Sequence, residues 1–138
     1  MRAIRPLYLL GATAALAAAA SGTALLQRYD PNVAGSPFPP CLFHALTGYW
    51  CIGCGMTRAL HALVHGDVAR AFGMNPLAMA LLFLSPLLAA WKLGVWRPAA
   101  MRPLVAALSE PRLWLVLLPA YWIARNLPWP PFAWLAPG

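Results

Sequence analysis

Three long apolar segments dominate the chain, and a short stretch rich in cysteine, histidine, glycine and proline separates the first from the second. Leu7–Leu26 contains 20 residues without a formal charge, which is long enough for a helix to cross the hydrocarbon core of a bilayer. Pro76–Trp91 and Arg112–Leu127 are predicted to form a helical membrane hairpin, joined by the basic connection Lys92–Arg112. The pattern therefore predicts an all-α integral membrane protein with about three transmembrane helices.

The N-terminal segment has a second interpretation, as a cleaved signal peptide. Arg2 and Arg5 precede the apolar run, and the small residues 17–21 resemble a cleavage site. The run continues beyond that site to Leu26, which favours a retained anchor. We therefore expect residues 1–26 to form a membrane anchor (or signal peptide). Residues 27–127 would hold the cysteine loop, interfacial helices and hairpin, and residues 128–138 a tail rich in proline and tryptophan.

Short amphipathic helices are predicted between the anchor and the hairpin. Asparagine, aspartate and threonine favour the N-cap of a helix, proline favours its first position, and glycine favours its end. On this basis helix starts are expected at Thr57, at Asp67 and at the pair Asn75-Pro76, and helix ends at Gly48 and Gly66.

The composition indicates that lipid covers much of the surface. Hydrophobic residues make up 62% of the chain and charged residues only 9%, whereas soluble domains carry about 25% charged residues. The net charge of +7 comes from basic residues that stand singly between apolar segments, which argues against a nucleic-acid interface. The lipid bilayer is therefore the predicted partner, and the sequence does not identify any protein partner.

Basic residues also predict an orientation, because they are enriched in cytoplasmic loops. A cytoplasmic N-terminus places six of them inside: Arg2, Arg5, Lys92, Arg97, Arg102 and Arg112. Four would lie outside: Arg28, Arg58, Arg70 and Arg125. The cysteine segment is then extracytoplasmic, where disulfides are permitted.

The three cysteines are the candidates for chemistry. Cys51 and Cys54 form a C-x-x-C pair in front of the helix expected at Thr57, where the helix dipole and Arg58 favour a thiolate at Cys54. With Cys41 as a third thiol, they are candidate catalytic residues of a redox relay. A structural disulfide from Cys41 to Cys51 or Cys54 is the competing interpretation.

A metal site is a further interpretation. Cys41-x-x-His44 and Cys51-x-x-Cys54 together supply three thiols and one imidazole, a ligand set that suits tetrahedral zinc. His61 and His65 are alternative ligands on one helix face. The sequence leaves the disulfide, metal and redox interpretations open.

Two classes of enzyme site find no support. The only carboxylates, Asp30, Asp67 and Glu110, lie in separate segments, so paired-carboxylate catalysis lacks its residues. His61 and His65 have the spacing of a zinc protease, but no glutamate follows His61.

Arg125 and Asn126 end the third apolar segment. An arginine at the end of a membrane helix commonly extends to the lipid headgroups, and we expect this snorkelling here. The alternative is that Arg125 reaches back to the carbonyl-rich loop.

One long motif resembles a known family. The matching residues are Cys41, Thr47, Gly48, Cys51, Gly53, Cys54, Gly55, Thr57, Arg58, Gly66, Asp67, Asn75 and Pro76. They resemble the domain of unknown function 2752 family (DUF2752) of small bacterial membrane proteins, and the resemblance extends over residues 38–127. Leu42 and Ile52 stand where that family usually has proline. The resemblance implies an integral membrane protein with helices after the motif, and it implies no reaction.

Together these features predict a multi-pass protein of the bacterial inner (plasma) membrane. Its cysteine motif would be an extracytoplasmic structural element, stabilised by a disulfide or a metal, in a protein with an accessory or assembly role. The alternative is a thiol-disulfide oxidoreductase that works at the membrane surface through its C-x-x-C pair.

Overall fold

A computed structural model of the chain describes residues 4–137, which form helices and contain no strand. This confirms the all-α prediction. The helices are α1 (Ile4–Arg28), α2 (Leu42–Thr47), α3 (Met56–Val64), α4 (Val68–Met74), α5 (Pro76–Lys92), α6 (Arg102–Ser109) and α7 (Pro111–Ala124). Two 3-10 turns cover Ala99–Met101 and Phe132–Leu135.

Side-chain caps define the starts of α4 and α5, as predicted. The Asp67 carboxylate accepts a hydrogen bond from the Arg70 amide at 2.9 Å. The Asn75 side-chain oxygen accepts one from the Ala78 amide at 3.1 Å, and Pro76 occupies the first position of α5. These bonds satisfy amides that have no partner within the helix.

The start of α3 differs from the prediction. The helix begins at Met56, and its N-cap is Gly55 rather than Thr57. Gly55 has φ +81°, a left-handed conformation that glycine adopts at little cost. A Cβ atom on Gly55 would lie 2.6 Å from the Met74 carbonyl oxygen. The chain therefore turns into α3 at the one residue small enough to pass close to the end of α4.

The connection between the two helices of the predicted hairpin also differs from the prediction. It contains α6 and a 3-10 turn, whereas the sequence predicted only a basic connection over Lys92–Arg112. The following helix starts at Pro111, and its N-cap Glu110 makes no side-chain capping bond. Arg102 and Pro103 open α6, where proline at the first turn is compatible with a helix because its missing amide is not needed.

A small core joins α3 and α4. Ala59 and Ala71 are fully buried, and Ala62, Met74 and Met79 are at least nine-tenths buried. Small alanine side chains let the two short helices approach closely. Because this core is small, polar contacts must contribute substantially to holding the surrounding segments together.

The long helices leave many large apolar side chains exposed. Leu16 in α1 is 71% exposed and Leu115 in α7 is 75% exposed. Within the described residues, one helix segment, Leu10–Arg28, is long and apolar enough to cross a membrane. A second span results only if residues 99–109 and 111–124 are counted together, across a bend of 71°. Length and composition therefore support one or two spans, fewer than the predicted three.

Three long helices meet the α3–α4 layer with one end each. The carbonyl of Leu26, near the end of α1, lies 2.7 Å from Nδ1 of His61 in α3. Asn75 joins α4 to the start of α5, and Arg125 follows the end of α7. Two of these ends, at Asn75 and Arg125, contact the segment that carries the cysteines.

We expect Gly55→Ala to destabilise the protein. Forcing a residue with a side chain into the left-handed region costs about 1–3 kcal/mol, and the new Cβ would also collide with backbone of Met74. The matched control is Gly53→Ala, where a Cβ meets no atom within 4 Å. The measurement is thermal unfolding of both variants in detergent. Equal unfolding temperatures for the two variants would contradict the turn geometry described for Gly55.

Candidate metal and thiol site

The three cysteines lie together. Their Sγ atoms are all within 4.8 Å of one another, and the Sγ atoms of Cys41 and Cys51 are 3.4 Å apart. All three are free thiols. The cluster has a geometry that suits a metal ion such as zinc.

Two local turns produce this cluster. Cys41 is the N-cap of α2, and its carbonyl accepts a hydrogen bond from the Ala45 amide at 3.0 Å. Cys51 and Cys54 lie in a tight turn before α3, in which the Cys54 amide donates to the Cys51 carbonyl at 3.2 Å. The Cys51 amide also donates to Sγ of Cys54 at 3.1 Å. The start of one helix thus faces the turn that precedes the next.

Arg125 binds the backbone of the turn that contains Cys51 and Cys54. Its side chain is only 1% exposed. Its guanidinium donates to the carbonyls of Ile52 at 2.9 Å and Cys54 at 3.1 Å, with a longer contact to Met74 at 3.5 Å. The expected snorkelling is therefore wrong. The turn exposes carbonyls that no helix or strand satisfies, and a guanidinium with five donors can serve several of them at once.

Asn75 binds the same two carbonyls. Its amide group donates to Ile52 at 2.9 Å and to Cys54 at 3.2 Å. Its side-chain oxygen caps α5 and also accepts a hydrogen bond from the Tyr121 hydroxyl at 3.1 Å. The sequence analysis identified the cap and missed this second role. The available signal was the asparagine itself, because its amide can donate and accept at the same time.

His44 lies next to the cluster without joining it. The group of mutually close ligand atoms consists of the three sulfurs, so the predicted four-residue ligand set is reduced to three in this structure. The imidazole of His44 stacks on the indole of Trp50 with centroids 3.8 Å apart and planes 9° apart. Its Nδ1 is buried and has no hydrogen-bond partner.

Asn126 fixes Trp50 to the end of α7. The Trp50 amide donates to the Asn126 side-chain oxygen at 2.7 Å, and the Asn126 amide group donates to the Trp50 carbonyl at 2.9 Å. These two hydrogen bonds connect the backbone of Trp50 to a segment 76 positions away in the sequence. Arg125 and Asn126, adjacent in sequence, therefore hold two consecutive parts of the cysteine loop.

The protonation of the cysteines differs from the sequence prediction. Burial raises the pKa of Cys54 to about 12, so the expected thiolate at Cys54 is wrong for the metal-free cluster. The loss of hydration disfavours the charged form more than the hydrogen bond from the Cys51 amide favours it. The pKa of Cys41 is lowered, mainly by a hydrogen bond from the His44 backbone amide and secondly by a hydrogen bond with Cys54.

A cavity of about 530 Å³ opens beside the cluster. Its walls include Cys41, His44, Cys54, Thr57 and Arg58. Two residues of the predicted motif, Thr57 and Arg58, therefore line this space, although Thr57 is not a helix cap. The cavity gives small molecules and ions a route to two of the three cysteines.

The other predicted residues have local roles. The hydroxyl of Thr47 donates to the Phe43 carbonyl at 2.7 Å, and Gly48 then ends α2. The alternative ligands His61 and His65 lie with Nδ1 close to backbone carbonyls, at 2.7 Å and 2.8 Å. Neither belongs to the cysteine cluster. Gly66 provides the turn between α3 and α4.

The comparison with known families covers the centre of this arrangement. Residues 41–91 match the family described as "Protein of unknown function (DUF2752)". The match covers 51 of the 138 residues, and over this segment the chain is similar to the DUF2752 family. The predicted resemblance is thereby confirmed, over a shorter range than 38–127. The DUF2752 segment contains the three cysteines and Asn75, whereas Arg125 and Asn126 lie outside it. No curated protein and no solved structure matches the chain.

Alkylation of the reduced, metal-free protein is expected to distinguish the cysteines. Cys54 is 3% exposed and has a raised pKa, whereas Cys41 is half-buried and has a lowered pKa. Since the thiolate is the reactive form, Cys41 should react first, and its rate should rise with pH and level off below the pH that an ordinary cysteine requires. Peptide mass spectrometry over a time course of iodoacetamide measures this. Equal rates at Cys41 and Cys54 in the folded protein would contradict the described burial.

Proposed function

We propose that the cysteine cluster binds one zinc ion in a small membrane protein. The loaded cluster would stabilise the part of the chain formed by the cysteine loop, α3 and α4, which we call the cap. The observation that carries this proposal is the mutual distance of the three sulfurs, at most 4.8 Å. Tetrahedral zinc with Zn–S bonds of about 2.3 Å separates its sulfur ligands by about 3.8 Å. Small side-chain adjustments therefore suffice for all three thiolates to bind one ion.

The charge of Arg125 supports a metal–thiolate cluster over a disulfide. The chain contains three acidic residues, and none pairs with Arg125: Asp30 lies near His61, Asp67 caps α4, and Glu110 lies near Arg112. Among the residues that the structure describes, the buried guanidinium therefore contacts carbonyls but no acidic side chain. Three thiolates around Zn²⁺ carry one net negative charge beside it, whereas a disulfide is neutral. Opposite charges attract strongly in a buried setting.

A structural role follows from what the cluster connects. Metal binding would tie Cys41 of α2 to the Cys51–Cys54 turn, which Arg125 and Asn75 fasten to α7 and α5. Binding energy at such a site contributes directly to folding. We infer that the loaded cap keeps the ends of the membrane helices together, in keeping with an accessory or assembly role rather than catalysis.

Metal content tests this proposal. The wild-type protein, purified in detergent under anaerobic conditions, is expected to hold one zinc per chain. Cys51→Ser and Cys54→Ser should each weaken binding by about 100-fold or more, because each thiolate supplies a large share of the binding energy. The matched control is Ser36→Ala, which alters the same cavity without removing a ligand. The measurements are metal analysis and native mass spectrometry. A metal-free wild type with two cysteines in a disulfide would overturn the proposal.

Two observations favour a second function, that of a thiol-disulfide oxidoreductase. The sulfurs of Cys41 and Cys51 are 3.4 Å apart, and the pKa of Cys41 is lowered. The Cys41 thiolate would attack a substrate disulfide and release one substrate thiolate. Cys51 would then attack the Cys41 sulfur and release the other, leaving a Cys41–Cys51 disulfide and a substrate reduced by two electrons. The reactive pair would thus differ from the C-x-x-C pair. Recovery of a Cys41–Cys51 disulfide from cells would favour this function.

We further propose that α1, α5 and α7 all cross the bacterial plasma membrane. Each of them exposes several large apolar side chains, and helix ends meet the cap in an order that fits alternating directions: α1 ends there, α5 starts there and α7 ends there. At the opposite end, the 71° bend between α6 and α7 lets α6 lie along the membrane surface. The basic residues of that connection favour the cytoplasm.

Reporter fusions test this topology. Alkaline phosphatase folds only outside the cytoplasm, where its disulfides form. A fusion after Arg28 is expected to be active, and a fusion after Trp96 inactive. Fusions of a cytoplasmic reporter at the same two sites provide the matched control and should show the opposite pattern. Activity after Trp96 together with inactivity after Arg28 would place the cap in the cytoplasm.

A further inference from the structure

The three-sulfur cluster leaves one position of a tetrahedral metal open. Structural zinc sites fill all four positions with protein ligands, usually cysteine and histidine. The protein offers one nearby candidate. His44 lines the same cavity as Cys41 and Cys54, and its Nδ1 is the one histidine nitrogen among the described residues that is recorded as buried and without a hydrogen-bond partner.

An unpartnered buried nitrogen requires an explanation. Buried polar atoms almost always have a partner, because leaving water without gaining a new bond is unfavourable. The other two histidines have such partners. Nδ1 of His61 lies 2.7 Å from a backbone carbonyl oxygen, and Nδ1 of His65 lies 2.8 Å from one. His44 has no such carbonyl. A metal ion held by the adjacent sulfurs would supply the missing partner.

The position of the His44 ring is set by two further residues. The ring lies flat on Trp50, with 3.8 Å between centroids, and Trp50 is held by two hydrogen bonds to Asn126. His44 lies three residues after Cys41, the N-cap of α2, so ring and thiol belong to one turn of the chain. This arrangement restricts the imidazole to the neighbourhood of the cluster.

We propose that His44 completes the metal site as its fourth ligand through Nδ1, and that Asn126, acting through Trp50, is a positioning residue for it. This inference rests on the proposed zinc site. Nδ1 is outside the group of sulfurs that lie within 4.8 Å of one another, so binding through Nδ1 would require the ring to turn toward them. The closed Cys₃His shell leaves no position for a substrate, which agrees with a structural role.

Cobalt replaces zinc in the test, because the visible absorption of Co²⁺ reports its ligands. The wild type is expected to bind one Co²⁺ with the spectrum of a tetrahedral site of three sulfurs and one nitrogen. His44→Ala should shift the visible bands and weaken Co²⁺ binding by about 10-fold or more. His44→Cys should restore tight binding, with stronger sulfur-to-cobalt charge-transfer absorption. The matched control His65→Ala removes an exposed histidine outside the cluster and should change neither property.

Asn126→Ala tests the positioning role. The sulfur and nitrogen ligands remain, so the same bands should persist, while affinity falls by about 10-fold, as for other residues that orient a ligand. An unchanged affinity in Asn126→Ala would remove Asn126 from the site. Circular dichroism of each variant separates this effect from a loss of helix.

A measurement on the unmodified sequence covers the case in which a variant fails to fold. The ¹⁵N-labelled wild-type protein loaded with ¹¹³Cd is expected to show one-bond coupling between the metal and a histidine nitrogen. Bound cadmium without that coupling, or a His44→Ala protein with unchanged Co²⁺ bands and affinity, would overturn the role of His44. The metal site itself would then stand, with its fourth ligand drawn from the cavity. A wild type that binds neither metal would instead refute the proposed zinc site.

Discussion

The carbonyls of Ile52 and Cys54 are the constraint on which the site depends. A tight turn directs both away from any helix, and both would lie unsatisfied in a buried setting. Arg125 and Asn75 each donate to both carbonyls. Four hydrogen bonds from two fully buried side chains therefore determine the shape of the turn, and the turn determines where Cys51 and Cys54 lie. The position of the cysteines therefore depends on the hydrogen bonds to these two carbonyls as well as on the thiols themselves.

This use of hydrogen bonds compensates for a sparse apolar core. The buried hydrophobic side chains are mostly alanines and methionines between α3 and α4, while the larger leucines and valines of the long helices face outward. Large apolar side chains that are exposed cannot also pack inside the protein. Polar contacts in a setting with little competing water then contribute more to specificity.

The sequence predicted the parts of the fold that depend on neighbouring residues. The caps at Asp67 and Asn75 and the stop at Gly48 follow from side-chain chemistry within one turn, and the structure has them in place. The start of α3 was misplaced because Thr57 has the chemistry of a cap, whereas the decisive constraint at Gly55 is the closeness of Met74, 19 positions further along the chain. No local pattern contains that contact.

The sequence predicted the three cysteines of the site, but it did not predict how they are arranged or held. The spacing of the cysteines indicated a cluster, but the protonation of Cys54 depends on burial by distant segments. Arg125 illustrates the same limit. A helix-end arginine followed by apolar residues resembles a snorkelling residue until its partners, at Ile52 and Cys54, are known. Contacts over 71 to 76 positions of sequence cannot be inferred from one chain without a fold.

The family match ends at residue 91, before the residues of α7 and its end that hold the cysteine loop. Residues 41–91 contain the thiols and Asn75, while Arg125, Asn126 and Tyr121 come from α7 and its end. The recognisable motif is therefore not an autonomous folding unit in this chain. Its buried carbonyls are completed by a segment that a motif-based excision would discard, so the smallest module that can be transplanted or expressed alone extends at least through Asn126.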